Sequence, residues 1–225
     1  MRALVVALIS SLSLSVVQAS ILQNKAQRYS EQVLYEVFRN SEPVGEYRLS
    51  FEPVGEQLRV GVEMQIEMKV FGLFNYDYLY QATEVWRADQ IESLDVRMLT
   101  NGDEERIRAE RQGEQLQVLD TKGRERLLPA KLLTTHHWLD DILLQQEVLN
   151  TLNGKVSKLS VKQEAQAVWM IEQQAVQVFG FRLGGDLDNT LSWYDNEGRW
   201  RGMSFKAKDG STIDVRWQGA QISQS

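Results

Sequence analysis

The segment from Leu58 to Val70 constrains this chain more than any other. Leu58, Val60, Val62, Met64, Ile66, Met68 and Val70 share one parity, and Arg59, Gly61, Glu63, Gln65, Glu67 and Lys69 share the other. Wound as a helix, the apolar set would scatter around the whole circumference. Laid out as a strand, it gives one dry face and one wet face. Its thirteen residues, at about 3.3 Å each, span about 43 Å. Strands of that length belong to strongly twisted or curled sheets.

The neighbours obey the same period of two. Gln32–Arg39 reads as a strand, with Tyr47, Leu49 and Phe51 on the return. Phe74, Tyr76, Tyr78, Tyr80 and Ala82 alternate with Asn75, Asp77, Leu79, Gln81 and Thr83, ending near Trp86. Ile91–Leu99 follows, and Asn101-Gly102 is a strong hairpin signal. Asp103–Arg111 and Gln115–Asp120 continue the run. The second half supplies Val156–Gln163, Ala167–Glu172, Gln177–Leu183, Thr190–Tyr194, Arg199–Ala207 and Thr212–Gln218. Between the halves the period changes. Leu139, Ile142, Leu143 and Leu149 fall at helical spacing, so Trp138–Asn150 reads as one helix, with Thr134 or Thr135 as candidate N-cap and Asp140-Asp141 in its first turns. The expected fold is mostly β: about ten to thirteen strands in a strongly curved antiparallel sheet, a half-barrel or open barrel, with one short helix. No linker divides it, so residues 20–225 read as a single β-rich domain.

The first residues read as an address. Met1-Arg2 is followed by an apolar run to Val17, and Val17-Gln18-Ala19 fits the small-residue rule for signal peptidase. The run is shorter than the roughly 20 residues that span a bilayer. Residues 1–19 are therefore expected to be a signal peptide. The rest is expected to be periplasmic or secreted after cleavage near Ala19, and not membrane-spanning.

Composition removes several chemistries. The chain has no Cys, hence no disulfide framework, no thiolate nucleophile and no Cys-based metal site. Its two His are the adjacent His136 and His137, and sequence neighbours rarely converge on one metal. A net charge of −6 argues against a nucleic-acid partner. There is no G-x-S-x-G segment and no Gly-rich phosphate loop. No metal, cofactor or catalytic residue is expected. The carboxylate pairs Asp140-Asp141, Glu104-Glu105 and Asp186 with Asp188 are accounted for by a helix start, a wet strand and a turn.

The succession Tyr35-Glu36-Val37-Phe38-Arg39-Asn40, Pro43-Val44-Gly45, Glu84-Val85-Trp86 and Thr100-Asn101-Gly102 resembles a group of exported bacterial proteins. Leu191-Ser192-Trp193-Tyr194-Asp195, Gly198-Arg199 and Asp209-Gly210-Ser211 continue the match. The chain resembles domain-of-unknown-function family 6134, with a more distant likeness to family 3108. The resemblance implies an exported protein with a curved sheet and no characterised activity. A looser likeness of architecture is to periplasmic lipoprotein carriers, whose curved sheet and helical lid hold acyl chains.

The candidate site is aromatic. Phe74, Tyr76, Tyr78, Tyr80 and Trp86 share one face of a strand, either as the wall of a ligand groove or as core packing. Trp138 and Ile142 lie on the apolar stripe of the expected helix, which is either a lid over that groove or a plug in the core. The function these features suggest is non-catalytic binding of an amphipathic or apolar ligand, such as a lipid, in the concave face. The alternatives are an envelope assembly or scaffold protein that binds a protein partner, and a carboxylate-dependent hydrolase.

Overall fold

The computed structural model describes residues 21–70, 74–187, 190–207 and 209–222. The expected signal peptide lies outside them. After a short helix, α1 (Ile21–Ala26), the chain forms a meander of antiparallel strands. These are β1 (Gln32–Arg39), β2 (Glu42–Val54), β3 (Gln57–Val70), β4 (Phe74–Arg87), β5 (Gln90–Thr100), β6 (Asp103–Gln112), β7 (Gln115–Leu119) and β8 (Glu125–Pro129). An irregular stretch leads to β9 (Glu147–Asn150). A second meander follows: β10 (Lys155–Ile171), β11 (Gln174–Gly185), β12 (Thr190–Asp195), β13 (Trp200–Lys206), β14 (Thr212–Trp217) and β15 (Gln221–Ile222). β14 pairs with β1 and joins the two meanders into one sheet. The sheet does not close. β8 forms one edge, and β10, flanked by β9 and β15, forms the other.

The long alternating segment is β3, and its apolar parity faces inward: Leu58, Val60, Val62 and Ile66 are buried. Leu49 of β2, Ile107 of β6, Leu116 of β7 and Leu183 of β11 join the same cluster, which requires the sheet to curl around it. The Asn101-Gly102 hairpin has φ of 51° and 93°, the two left-handed residues that a tight hairpin turn needs. Three other hairpins do the same without glycine, at Asn40-Ser41, Ala88-Asp89 and Glu172-Gln173.

Two segments that read as separate strands, Val156–Gln163 and Ala167–Glu172, are the single strand β10. It carries a bulge between Gln163 and Ala165, where the register against β11 shifts by one. Gln163 opposes Phe181 and Ala165 opposes Gly180, so the bulge exchanges the two faces of β10. Leu159 therefore belongs to the main core. Trp169 and Ile171 belong instead to a second cluster with Val178, Trp193 and Trp217.

The helix expected over Trp138–Asn150 is not there. A 3-10 turn spans only Asp140–Leu144, and Glu147–Asn150 is β9. Leu149 decides this. Its N–H donates to the Leu133 carbonyl at 2.8 Å, and its own carbonyl accepts the Thr135 N–H at 3.0 Å. β9 also pairs with the start of β10, Glu147 opposite Lys158. A helix of three turns is marginal by itself, and ladder bonds on both sides of one strand outweigh it. Among the described residues the one α-helix is instead α1. Its Lys25 Nζ reaches Asp140 at 2.6 Å and also contacts Asp141, tying the helix to the 3-10 turn. Trp138, Leu139 and Ile142 are buried in the main core. The segment plugs the curled sheet.

Candidate functional site

β4 builds the centre of the interior. Tyr80, Ala82, Glu84 and Trp86 lie on its inward parity, and Glu84 is fully buried. A carboxylate there must be compensated by donors, and the plug segment brings them. Oε1 of Glu84 accepts from the Thr134 hydroxyl at 2.5 Å and faces His136 Nδ1 at 2.7 Å. Oε2 accepts the indole N–H of Trp86 at 2.9 Å and that of Trp138 at 3.1 Å. Burial pushes the Glu84 carboxyl upward, but His136 and the surrounding donors outweigh it and hold the carboxyl below its ordinary range. With Nδ1–H directed at Glu84, His136 Nε2 is the acceptor for the Tyr80 hydroxyl, 2.6 Å away.

Hydroxyl, imidazole and carboxylate thus stand in the order of an activated nucleophile, its base and the base's orienter. The environment opposes that use. Tyr80 and His136 are 4% and 5% exposed. Burial raises the Tyr80 hydroxyl well above its ordinary pKa, the reverse of activation. Neither described groove reaches the trio. Its effect here is to fasten β4 to the plug.

His137 lies on the other side of the plug. It stacks on Trp200 with centroids 5.5 Å apart, and its Nδ1 is 3.2 Å from the Ser192 hydroxyl. The Tyr194 hydroxyl donates to the His137 carbonyl at 3.0 Å. Burial, reinforced by adjacent His136, lowers its pKa to about 4. Below it, Asp195 receives Arg199 and Arg201, and the Arg201 guanidinium lies 3.9 Å over the Trp217 ring.

The aromatic residues expected to wall a groove divide into two groups. Tyr80, Trp86 and Trp138 converge on the Glu84–His136 pair, and Ile142 is fully buried beside them in the core. They are interior packing, and the lid expected from Trp138 and Ile142 is the plug. Tyr76 and Tyr78 are half-buried and pack against the rim of the core. Phe74 lies in β4, and its side chain is outside the described residues. Glu84 and Ser192 were not anticipated as interior polar groups. Glu84 could have been found, because it is a carboxylate in phase with Tyr80, Ala82 and Trp86. Among the described residues no cluster of three or more His, Asp or Glu side chains converges as a metal site.

Open space lies elsewhere. A groove of about 870 Å³ runs along the seam where the sheet fails to close. Pro129 at the end of β8 and Leu132 beyond it form one side, and Leu159 of β10 lies on the other. Lys131, Lys158, Glu147, Gln145 and Gln146 supply its polar rim. A smaller groove of about 410 Å³ lies near Arg28, Asp140 and Glu197. No helix among the described residues is long and apolar enough to cross a membrane.

No curated protein sequence matches this chain significantly. It is similar in structure to a crystallised beta-barrel-like protein of domain of unknown function DUF1849 from Brucella abortus. The TM-score is 0.58 at 11% identity, over 86% of this chain and 97% of the other. That likeness concerns the fold alone. The family model described as Domain of unknown function (DUF6134) matches residues 35–218, from β1 through β14 and including both buried histidines, so the chain belongs to the DUF6134 family.

Proposed function

We propose that this protein is a non-catalytic binding module exported from the cytoplasm, and that it takes an amphipathic ligand. The observation that carries this reading is the division between interior and seam. The concave face is filled by packed side chains around a satisfied polar network, so the ligand belongs at the seam groove and not among Tyr80, Trp86 and Trp138. The groove's volume of about 870 Å³ lies within the range of about 300–1,000 Å³ usual for small-molecule sites. It combines apolar walls with a polar rim, as an amphipathic molecule requires. Export rests on the residues before Ser20. The test is native mass spectrometry of the protein purified from its own periplasm, with extraction of bound lipid. A co-purifying amphiphile at one per chain is the expected result.

A second reading has its own observation. β8 is an edge strand, and its Leu127 is 58% exposed. A protein partner adding a strand there would make this an envelope assembly or scaffold protein. Leu127→Lys would abolish such pairing and leave amphiphile binding at the seam unchanged.

A further inference from the structure

We propose that the seam groove selects a single-chain amphiphile with an anionic head, received by Lys131 and Lys158, with its chain against Pro129, Leu132 and Leu159. This rests on the reading of the groove as a ligand site and adds the charge of the ligand.

In this acidic chain the arginines and the lysines are used differently. The chain carries 25 Lys and Arg against 31 Asp and Glu. Most of its arginines are paired with carboxylates, as Arg39 with Asp209, Arg48 with Glu63, Arg182 with Glu164 and Arg201 with Asp195. Of the lysines described, Lys25 alone forms an ion pair. Lys131 and Lys158 have no ion pair among the described residues, and both line the groove. Lys155 and Lys162, exposed on the same strand, are likewise unpaired there. The seam is therefore a positive stretch on a negative molecule, which favours anions at that place.

The opposing charges are few. Glu147 is the carboxylate that lines the groove, and it stands opposite Lys158 in the ladder. Asp186 accepts the backbone N–H of Lys158 at 2.8 Å, so it is directed at the main chain. Pro129 and Leu132 supply apolar surface on the β8 side, and Leu159, whose side chain turns to the opposite face of β10 from Lys158 and is 7% exposed, borders the groove from the core side. Leu144, 82% exposed, stands next to Gln145 on the rim. Two lysines on the border of a partly apolar groove suit a molecule with one charged end and one apolar chain.

The experiment uses the exported protein, oleate below its micelle concentration, monoolein as the uncharged molecule of equal chain, and phosphatidylglycerol vesicles. Calorimetric titration should show one oleate per chain, with monoolein at least tenfold weaker. The K131E/K158E double variant should weaken oleate at least tenfold and leave monoolein unchanged. A thermal melt shows whether the variant is folded, and the milder K131Q and K158Q single variants should each give part of the loss. Equal affinity for oleate and monoolein, untouched by the variants, would overturn the choice of an anionic head while leaving the groove a binding site. Binding of neither molecule would remove the groove reading as well. Sedimentation with vesicles without binding of monomeric oleate would identify the lysines as a membrane-surface patch and overturn the proposal.

Discussion

Nδ1 of His136 stands 2.7 Å from Oε1 of Glu84 in the middle of the curled sheet. β4 supplies the carboxylate and the plug supplies the ring, so this contact joins the sheet to what fills it. Glu84→Ala would leave Thr134, Trp86, Trp138 and His136 without their common acceptor. The expected loss of stability is about 3–5 kcal/mol, read from urea unfolding at pH 7. In a double-mutant cycle with His136→Ala the two losses should fall short of additivity by about 0.5–3 kcal/mol. Strict additivity would mean that the pair does not couple sheet and plug.

Stability should depend on pH through the neighbouring ring. The folded pKa of His137 is lowered to about 4 from 6.5. The unfolded chain therefore takes up this proton first as the pH falls. The contribution of His137 is full above about pH 6.5 and is lost by about pH 4, a change of about 3 kcal/mol. The Glu84 carboxyl is also held low, against an ordinary 4.5, so its share is present above that pH and fades below it. The urea midpoint of the wild type should drop between pH 7 and pH 4.5, and His137→Gln should flatten that slope. An equally steep slope in the variant would assign it to other groups.

The inward parity of β3 can be tested at adjacent positions. Ile66 is 8% exposed, whereas Glu67 is exposed and accepts a hydrogen bond from Gln65 at 2.7 Å. Ile66→Asp should cost about 3 kcal/mol or more, and Glu67→Ala about 0.5 kcal/mol or less. Similar unfolding midpoints for the two variants would contradict the register.

The plug should behave as core and not as a lid. Ile142 is fully buried, and Ile142→Ala should destabilise the domain by about 2–5 kcal/mol. Amide exchange of Leu149, bonded to Leu133 and Thr135, should be as slow as that of β3 with or without oleate. Faster exchange at Leu149 in the ligand-free protein would show that the segment opens by itself.

Export has a simple readout. N-terminal sequencing of the protein from the periplasm should begin at Ser20, and a chain retained at full length in the inner membrane would refute it.

Strands with one dry face were legible, because burial on a pleated sheet writes itself into every second residue. The inward parity of β3 followed from the alternation of Leu58, Val60, Val62 and Ile66, and β4 from that of Tyr76, Tyr78, Tyr80 and Ala82. The plug was not legible. Leu139, Ile142 and Leu149 repeat at helical spacing, yet Leu149 is held by Leu133 and Thr135, and that pairing is a tertiary fact. The continuity of β10 was hidden for another reason: the bulge between Gln163 and Ala165 breaks its alternation, so its two halves read as separate strands. Of the interior polar cluster, Tyr80, Trp86 and Trp138 were visible as aromatics. Their hub, Glu84, stands in the same stripe and its inward phase could be read, but its donors come from about 50 residues away and could not.

The bulge in β10 leaves one position uncounted in the ladder. Glu164 is the residue that has no opposite number on β11. Removing it would set Ala165 directly after Gln163, as in an ordinary ladder, and Ala165–Ile171 would keep Gly180–Gln174 opposite them. Trp169 and Ile171 would still look toward the second cluster. A residue gained or lost elsewhere in the strand has no such slack, because it must move the bulge or turn side chains over. Descendants of this sequence should therefore tolerate loss of residue 164 better than a change of length elsewhere in β10.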